Sequence, residues 1–195
     1  MVVDVQNDFC PGGTLPVPGG DSIIPGLNRV ISAFDRGRFP VFFTRDWHPA
    51  DHCSFKAQGG IWPPHCVQGT PGAEFHKGLR RPPGSGVISK GDRPDREAYS
   101  GFQGTDLAEK LRRLEVDTVF VGGLAVEYCV RTTTEDALRK GLAALVILDC
   151  TKGLEIHAGD TAAALAEMEK AGASMLKSLE AISMVSRRAA VMSSS

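Results

Sequence analysis

Residues 117–141 read DTVFVGGLAVEYCVRTTTEDALRKG, and this stretch decides the fold. Its first seven residues form a short run of β-branched and aromatic side chains closed by two glycines, as buried parallel strands tend to be. Val130, Thr134, Ala137 and Leu138 then recur at helical spacing up to Gly141, which closes the helix. Strand, tight turn and helix in that order are part of a βαβ unit, and Cys129 lies just past the strand where the helix starts.

The same alternation runs outward in both directions. VVDV (2–5), PVFFT (40–44), GVIS (86–89) and AALVILD (143–149) are further short apolar runs, and ASMLK (173–177) is a weaker sixth. Ile24, Leu27, Val30, Ile31 and Phe34 mark a helical face ending near Gly37. Leu107, Leu111 and Leu114 mark another, with Thr105 as its N-cap, and Thr161–Lys170 is a fourth helix. Strands alternating with helices imply right-handed βαβ units and an open, mostly parallel sheet of about six strands covered on both faces, an α/β fold. Only Met1, Val2 and Val3 precede Asp4, whereas a strand usually has five or six residues. Either the first strand is short or the true start lies upstream.

At 195 residues the chain is expected to be one domain, 1–195, able to bury its core without staples. A net charge of -1 without a Lys/Arg run gives no reason to expect nucleic acid. No apolar run approaches the roughly 20 residues of a membrane helix, and no signal-peptide pattern opens the chain. Cys10, Cys53, Cys66, Cys129 and Cys150 are odd in number and irregularly spaced, which suggests free thiols in a reducing compartment. A cytoplasmic protein is expected, with no membrane partner and a homo-oligomer left open. Residues 183–195, SMVSRRAAVMSSS, read as a tail forming a short helix that frays at its serines.

In an open parallel sheet, ligands bind beyond the carboxyl ends of the strands. Asp4, the Asp46/His48 group, Lys90 and Cys129 each fall at or just past such an end. Cys129 is the candidate nucleophile. A free thiol ionises near pH 8.5 and is only about 3% thiolate at pH 7. Making it mostly thiolate takes about 2 kcal/mol, which a helix N-terminus and a nearby lysine are expected to supply. Asp4 would take the thiol proton and Lys90 would hold charge and orient both. Backbone N–H groups of the GGLAVEYC turn are candidates for holding an oxyanion.

Residues 45–85 form a long loop rich in Pro, Gly and His, and loops of that length inside a domain are usually functional. Asp46, His48, His52 and His65 offer one carboxylate and three imidazoles, a set that suits Zn²⁺, Fe²⁺ or Mn²⁺. The alternative is a structural Cys₂His₂ clip of His48, Cys53, His65 and Cys66. Phe9 and Trp62 flank this site closely enough in sequence to wall a flat ring, and Tyr99 and Tyr128 lie near it.

Five co-linear motifs carry a resemblance: VVDVQNDFCPGG, DWHPADH, WPPHCVQGTPGAEFH, KG…AYSGF and GGLAVEYCVRTTTEDALRKG. Over residues 2–175 the chain resembles nicotinamidases, also called pyrazinamidases, cysteine hydrolases of the isochorismatase-like superfamily. The resemblance implies a three-layer αβα Rossmann-like domain that hydrolyses nicotinamide, and pyrazinamide, to the acid and ammonia in NAD salvage. It implies Asp4 as base, Lys90 as the lysine, Cys129 as nucleophile and Asp46, His48, His52 and His65 as ligands of one divalent metal ion, Zn²⁺ first. It further implies the Ala125 and Cys129 amides as oxyanion hole, a cis Leu124–Ala125 bond, and Phe9 and Trp62 as ring walls. The family turn reads A-T-D-x-C, whereas here it is Ala125, Val126, Glu127, Tyr128, Cys129, which puts Tyr128 at the pocket border. Other superfamily amidases share the Asp, Lys and Cys but lack the histidine cluster, so the loop points to a pyridine carboxamide.

Overall fold

In the computed structural model, which describes residues 1–193, six strands form: β1 (Val2–Val3), β2 (Phe42–Asp46), β3 (Gly86–Lys90), β4 (Thr118–Leu124), β5 (Ala143–Lys152) and β6 (Ser174–Leu176). They make one sheet in the order β3-β2-β1-β4-β5-β6, every neighbouring pair parallel. The chain winds outward from β1 through β2 to β3, returns to β4 beside β1, and winds outward again. The seam between β1 and β4 is therefore the topological switch point, where crevices open in such sheets.

Five α-helices cover the sheet: α1 (Ile24–Arg36), α2 (Leu107–Arg113), α3 (Arg131–Arg139), α4 (Asp160–Lys170) and α5 (Ser178–Ser193). Ile24, Leu27 and Ile31 of α1 share one apolar cluster with Ala181 of α5. Leu107 and Leu111 of α2, Ala137 of α3 and Met168 of α4 share the other. These are the two outer layers of an αβα arrangement. β1 spans two residues here, and it serves both layers: Val2 enters one cluster and Val3 the other, as alternation along a strand demands.

Several boundaries moved. The Thr105 hydroxyl accepts the Leu107 N–H at 3.3 Å, so Thr105 caps α2 although the flanking residue at the helix start is Asp106. The turn before α3 is a π-helical segment, Val126–Val130, so Cys129 lies inside a wide turn rather than at the first turn of an α-helix. The tail is longer than a short helix: α5 starts at Ser178, whose N–H and hydroxyl both bond to Asp149 at 2.7 and 2.6 Å. The expected fraying falls partly on 194 and 195, which lie outside the described residues.

Gly123 is the tightest point of the seam. It pairs with Val3, has φ +134°, and a Cβ there would meet the Val3 carbonyl oxygen at 2.0 Å. Any side chain would push β4 off β1. The β4–β5 register also slips between Val121 and Gly123, a bulge that redirects the strand end toward the crevice.

Candidate active site and metal centre

Strand register brings the candidate residues together. Thr44 pairs with Val3 and Asp46 with Lys90. The next residue after Val3, Asp4, donates its N–H to the Thr44 carbonyl at 3.2 Å. Across the seam, β4 ends at Leu124, followed by a cis Leu124–Ala125 bond and the π turn carrying Cys129. Asp4, Asp46, Lys90 and Cys129 are all buried.

Lys90 is the hub. Its Nζ lies 2.9 Å from Asp4 Oδ2, 2.5 Å from Asp46 Oδ1, 3.2 Å from the Ala98 carbonyl and 3.4 Å from the Cys129 sulfur. Burial alone would lower its pKa, but Asp4 and Asp46 outweigh burial and hold it well above the usual lysine value. Burial also works against the charge on Asp46, and Lys90 with His48 overcomes it, keeping this carboxylate well below its usual range. Asp4 differs: burial dominates and raises its pKa, against the pull of Lys90. It is thus the carboxylate better suited to holding a proton in transit.

The expectation of an acidified thiol is overturned. Burial pushes Cys129 well above the usual thiol value, Lys90 opposes that, and Asp4 and Asp46 add to it. The lysine cannot acidify the thiol on its own because its charge is already shared between two carboxylates. Cys129 is thus held as a neutral thiol in the assembled site. An oxygen of Asp4 and an oxygen of Asp46 lie within 4.8 Å of the sulfur and of each other.

The loop after β2 folds around Phe55, which is fully buried. The imidazoles of His48, His52 and His65 pack against its ring with centroids 5.7, 5.7 and 5.5 Å away. His48 Nδ1 donates to the Gly91 carbonyl and His65 Nδ1 to the Pro63 carbonyl, each at 2.8 Å, which leaves Nε2 as the nitrogen available to a cation. A Cβ at Gly91 would meet the His48 ring at 2.5 Å, so the glycine is what lets the imidazole approach. Donor atoms of Asp46, His48 and His65 lie within 4.8 Å of one another. His52 stacks on His48 at 4.0 Å, and its donors group with those of His48 and Glu97 instead, its Nε2 being 3.1 Å from the Arg96 carbonyl. Among the described residues, neither Cys53 nor Cys66 joins a donor group, which removes the basis for a Cys₂His₂ clip. Burial and the nearby Asp46 raise Cys66 well above the usual thiol value, against thiolate ligation. Two buried carboxylates facing one ammonium leave negative charge beside the three imidazoles, a donor set that fits a divalent cation.

A narrow pocket joins the two parts, lined by Phe9, Trp62, Tyr99, Tyr128, Ala125, Cys129, Asp46 and His65 together with Leu15, Val17 and Leu154. Trp62 Nε1 donates to the Tyr99 hydroxyl at 2.9 Å, and Tyr128 meets Trp62 edge-on at 5.2 Å, so the aromatic walls brace each other. Burial pushes the Tyr99 phenol up to about 12, keeping it neutral. Another hollow, lined by Met1, Phe34 and Phe120 among others, has no titratable side chain. His76 and His157 lie away from the site; His157 is exposed and His76 accepts the Gly78 N–H at 3.1 Å.

Several supporting residues escaped sequence reasoning. Gln6 accepts the Asp46 N–H and donates to its carbonyl, both at 2.8 Å, fixing the backbone of that aspartate. Asp8 accepts the Cys66 N–H at 2.7 Å and so holds the loop beside His65. Glu127 accepts the Leu154 and Glu155 N–H groups at 2.9 and 3.0 Å and the Thr161 hydroxyl at 2.6 Å, which holds Leu154 against the pocket. The only signal for Gln6 and Asp8 was their density of polar residues just after Asp4.

A buried thiol, carboxylate and ammonium at the switch point of an αβα sheet define a cysteine-hydrolase type of site. The isochorismatase domain model matches residues 1–180, and the chain belongs to that family. Within it, the chain is 43% identical to the nicotinamidase/pyrazinamidase of Mycobacterium tuberculosis, covering 90% of this chain and 96% of that one. The crystal structure of the pyrazinamidase of Pyrococcus horikoshii in complex with zinc superposes with a TM-score of 0.87 at 49% identity, covering 90% and 96% of the two chains. That of PnC1 from L. infantum in complex with nicotinate superposes at 0.82 with 37% identity, covering 91% and 90%.

Proposed function

We propose that this protein is a nicotinamidase: it hydrolyses nicotinamide to nicotinate and ammonia, and pyrazinamide to pyrazinoate, in NAD salvage. One observation carries the reading beyond family membership. The pocket that exposes Cys129 to a ligand is walled by Phe9, Trp62, Tyr99 and Tyr128 and reaches Asp46 and His65 of the cation site. A flat ring bearing a basic nitrogen and a carboxamide would turn the nitrogen toward the cation donors and the carboxamide toward Cys129.

In this mechanism Asp46, His48 and His65, whose donors already group together, would hold the divalent ion, Zn²⁺ by preference, with His52, stacked on His48, as the fourth expected ligand. The bound ion supplies an anchor for the pyridine nitrogen. The aromatic walls confine the ring, so that the carboxamide carbon meets the Cys129 sulfur as a near neighbour. Sulfur attacks that carbon while the thiol proton passes to Asp4. The Ala125 and Cys129 N–H groups receive the oxyanion. The Tyr128 and Val130 N–H groups both donate to the Ala125 carbonyl at 3.1 Å, which fixes the turn on either side of the Cys129 amide. Collapse breaks the C–N bond, Asp4 gives its proton to the leaving amine, and ammonia departs from a thioester. Water then attacks the thioester carbon, losing a proton to Asp4, which returns it to the departing sulfur. Lys90 keeps its proton throughout and balances the charge on whichever neighbour is anionic.

No described helix is long and apolar enough to cross a membrane. Five free cysteines favour the cytoplasm as the place of action. The deciding experiment is ammonia release from nicotinamide by purified protein, with and without chelator. Release that chelation stops and zinc restores supports the reading. No release from nicotinamide, with release from a non-pyridine amide, overturns it.

A further inference from the structure

Asp4 is buried with its two carboxylate oxygens in different situations. Oδ1 accepts the Thr44 hydroxyl at 2.6 Å. Oδ2 faces Lys90 Nζ at 2.9 Å as an ion pair but outside hydrogen-bonding geometry, and it is the one buried side-chain polar atom left without a hydrogen bond among the described residues. An oxygen held by an ion pair alone keeps a lone pair free for a further donor. From this asymmetry we infer that Thr44 is a positioning residue: its hydroxyl takes one oxygen of Asp4 and thereby aims the other at the Cys129 thiol.

This inference rests on the reading of Asp4 as the base. A carboxylate with both oxygens free can turn about its Cβ–Cγ bond and offer either oxygen, or both, to the ammonium of Lys90. Turned that way, it would neutralise Lys90 well and accept the thiol proton poorly. The Thr44 bond stops the rotation. The hydroxyl is itself locked, because Thr44 is fully buried and its methyl group packs against Gly101: a Cβ at that glycine would meet Thr44 Cγ2 at 2.8 Å. With the methyl fixed, the oxygen has one direction to point. The backbone of Asp4 is held as well, with φ +50°, its N–H on the Thr44 carbonyl at 3.2 Å and its own carbonyl accepting from Gln6 at 2.8 Å. Backbone and side chain of the base are thus both fixed by the same strand residue.

A threonine that merely filled the core would be replaceable by valine, which has the same branched shape. A positioning threonine would not. The test compares Thr44→Val, Thr44→Ser and Thr44→Ala in the zinc-loaded protein, reading kcat and KM for nicotinamide separately and the rate of Cys129 alkylation by iodoacetamide at pH 7. Thr44→Val is expected to lose on the order of 10²-fold in kcat, the scale of a misplacement near 1 Å, with KM within about twofold. Thr44→Ser should recover most of that loss, and alkylation should follow the same order. If Thr44→Val fails to fold, the Ser and Ala variants decide: an active Ser beside an Ala with depressed kcat supports the inference. A folded Thr44→Val with unchanged kcat overturns it, as does a Ser variant no better than Ala. Were the wild-type protein inactive on nicotinamide, alkylation that still depended on the Thr44 hydroxyl would sink the substrate assignment and leave this inference standing.

Discussion

Lys90 Nζ lies 2.5 Å from Asp46 Oδ1, so one ammonium ties the thiol site to the cation loop. The same group is 3.4 Å from the Cys129 sulfur, so a change at Lys90 reaches both halves of the site. Removing Lys90 would strand two buried carboxylates beside each other. Breaking a buried pair in this way costs about 3–5 kcal/mol. Lys90→Met should therefore lower the urea midpoint of unfolding strongly, as well as abolishing turnover. A variant of wild-type stability would mean that the carboxylates are neutralised by something else.

Cys129→Ala separates nucleophile from cation. Turnover should fall by roughly 10⁴-fold or more, the scale seen when a covalent nucleophile is lost. Zinc content after dialysis should stay that of the parent, since none of the loop donors is touched. Substantial residual hydrolysis in this variant would favour attack by a metal-bound hydroxide over the thioester route.

The raised pKa of Asp4 sets the acid side of the activity profile. The base acts as a carboxylate, so activity is lost as pH falls through its folded pKa, and burial places that loss above the usual value of 3.8. Cys129 is pushed upward as well, so alkylation of the free enzyme should keep rising beyond about pH 8.5, where an ordinary thiol levels off. An alkylation curve saturating near neutral pH would reveal a preformed thiolate and contradict this picture.

Phe55 holds three imidazoles in place from the protein side. Phe55→Ala should cost about 3–5 kcal/mol of stability. Zinc affinity should drop about 10–100-fold, as it does when support behind a ligand is removed. Competition with a chromophoric chelator measures the second effect apart from the first.

Glu127 departs from the family turn by one methylene and carries three hydrogen bonds to the 154–161 segment. Glu127→Ala frees Leu154 while the Ala125 carbonyl still organises the turn. KM for nicotinamide should rise several-fold more than kcat falls, and bulkier ring-substituted amides should be less disfavoured. Equal losses in kcat and KM would place the damage in the oxyanion turn instead.

The parts of this molecule legible in the sequence are those whose meaning is local. Apolar runs between glycines gave all six strands, and the chain's own order put Asp4, Lys90 and Cys129 at strand ends. Thr44, Gln6 and Phe55 stayed silent because each looks ordinary where it stands. Thr44 reads as a strand residue and Phe55 as core, and Thr44 and Gln6 find partners 40 residues or more away. The state of Cys129 was misread for a related reason. Spacing shows that a lysine is near, but only the assembled site shows that two carboxylates have already claimed it.

The β1–β4 seam also divides the chemistry between two lengths of chain. Asp4, Asp46, Lys90 and the three loop histidines all belong to the strands outward from β1, while Ala125, Glu127 and Cys129 belong to those outward from β4. Between β3 and α2 the chain crosses an exposed turn with an open, positive-φ Gly104. A break there would leave Asp4 and the cation donors on one length of chain and Cys129 on the other.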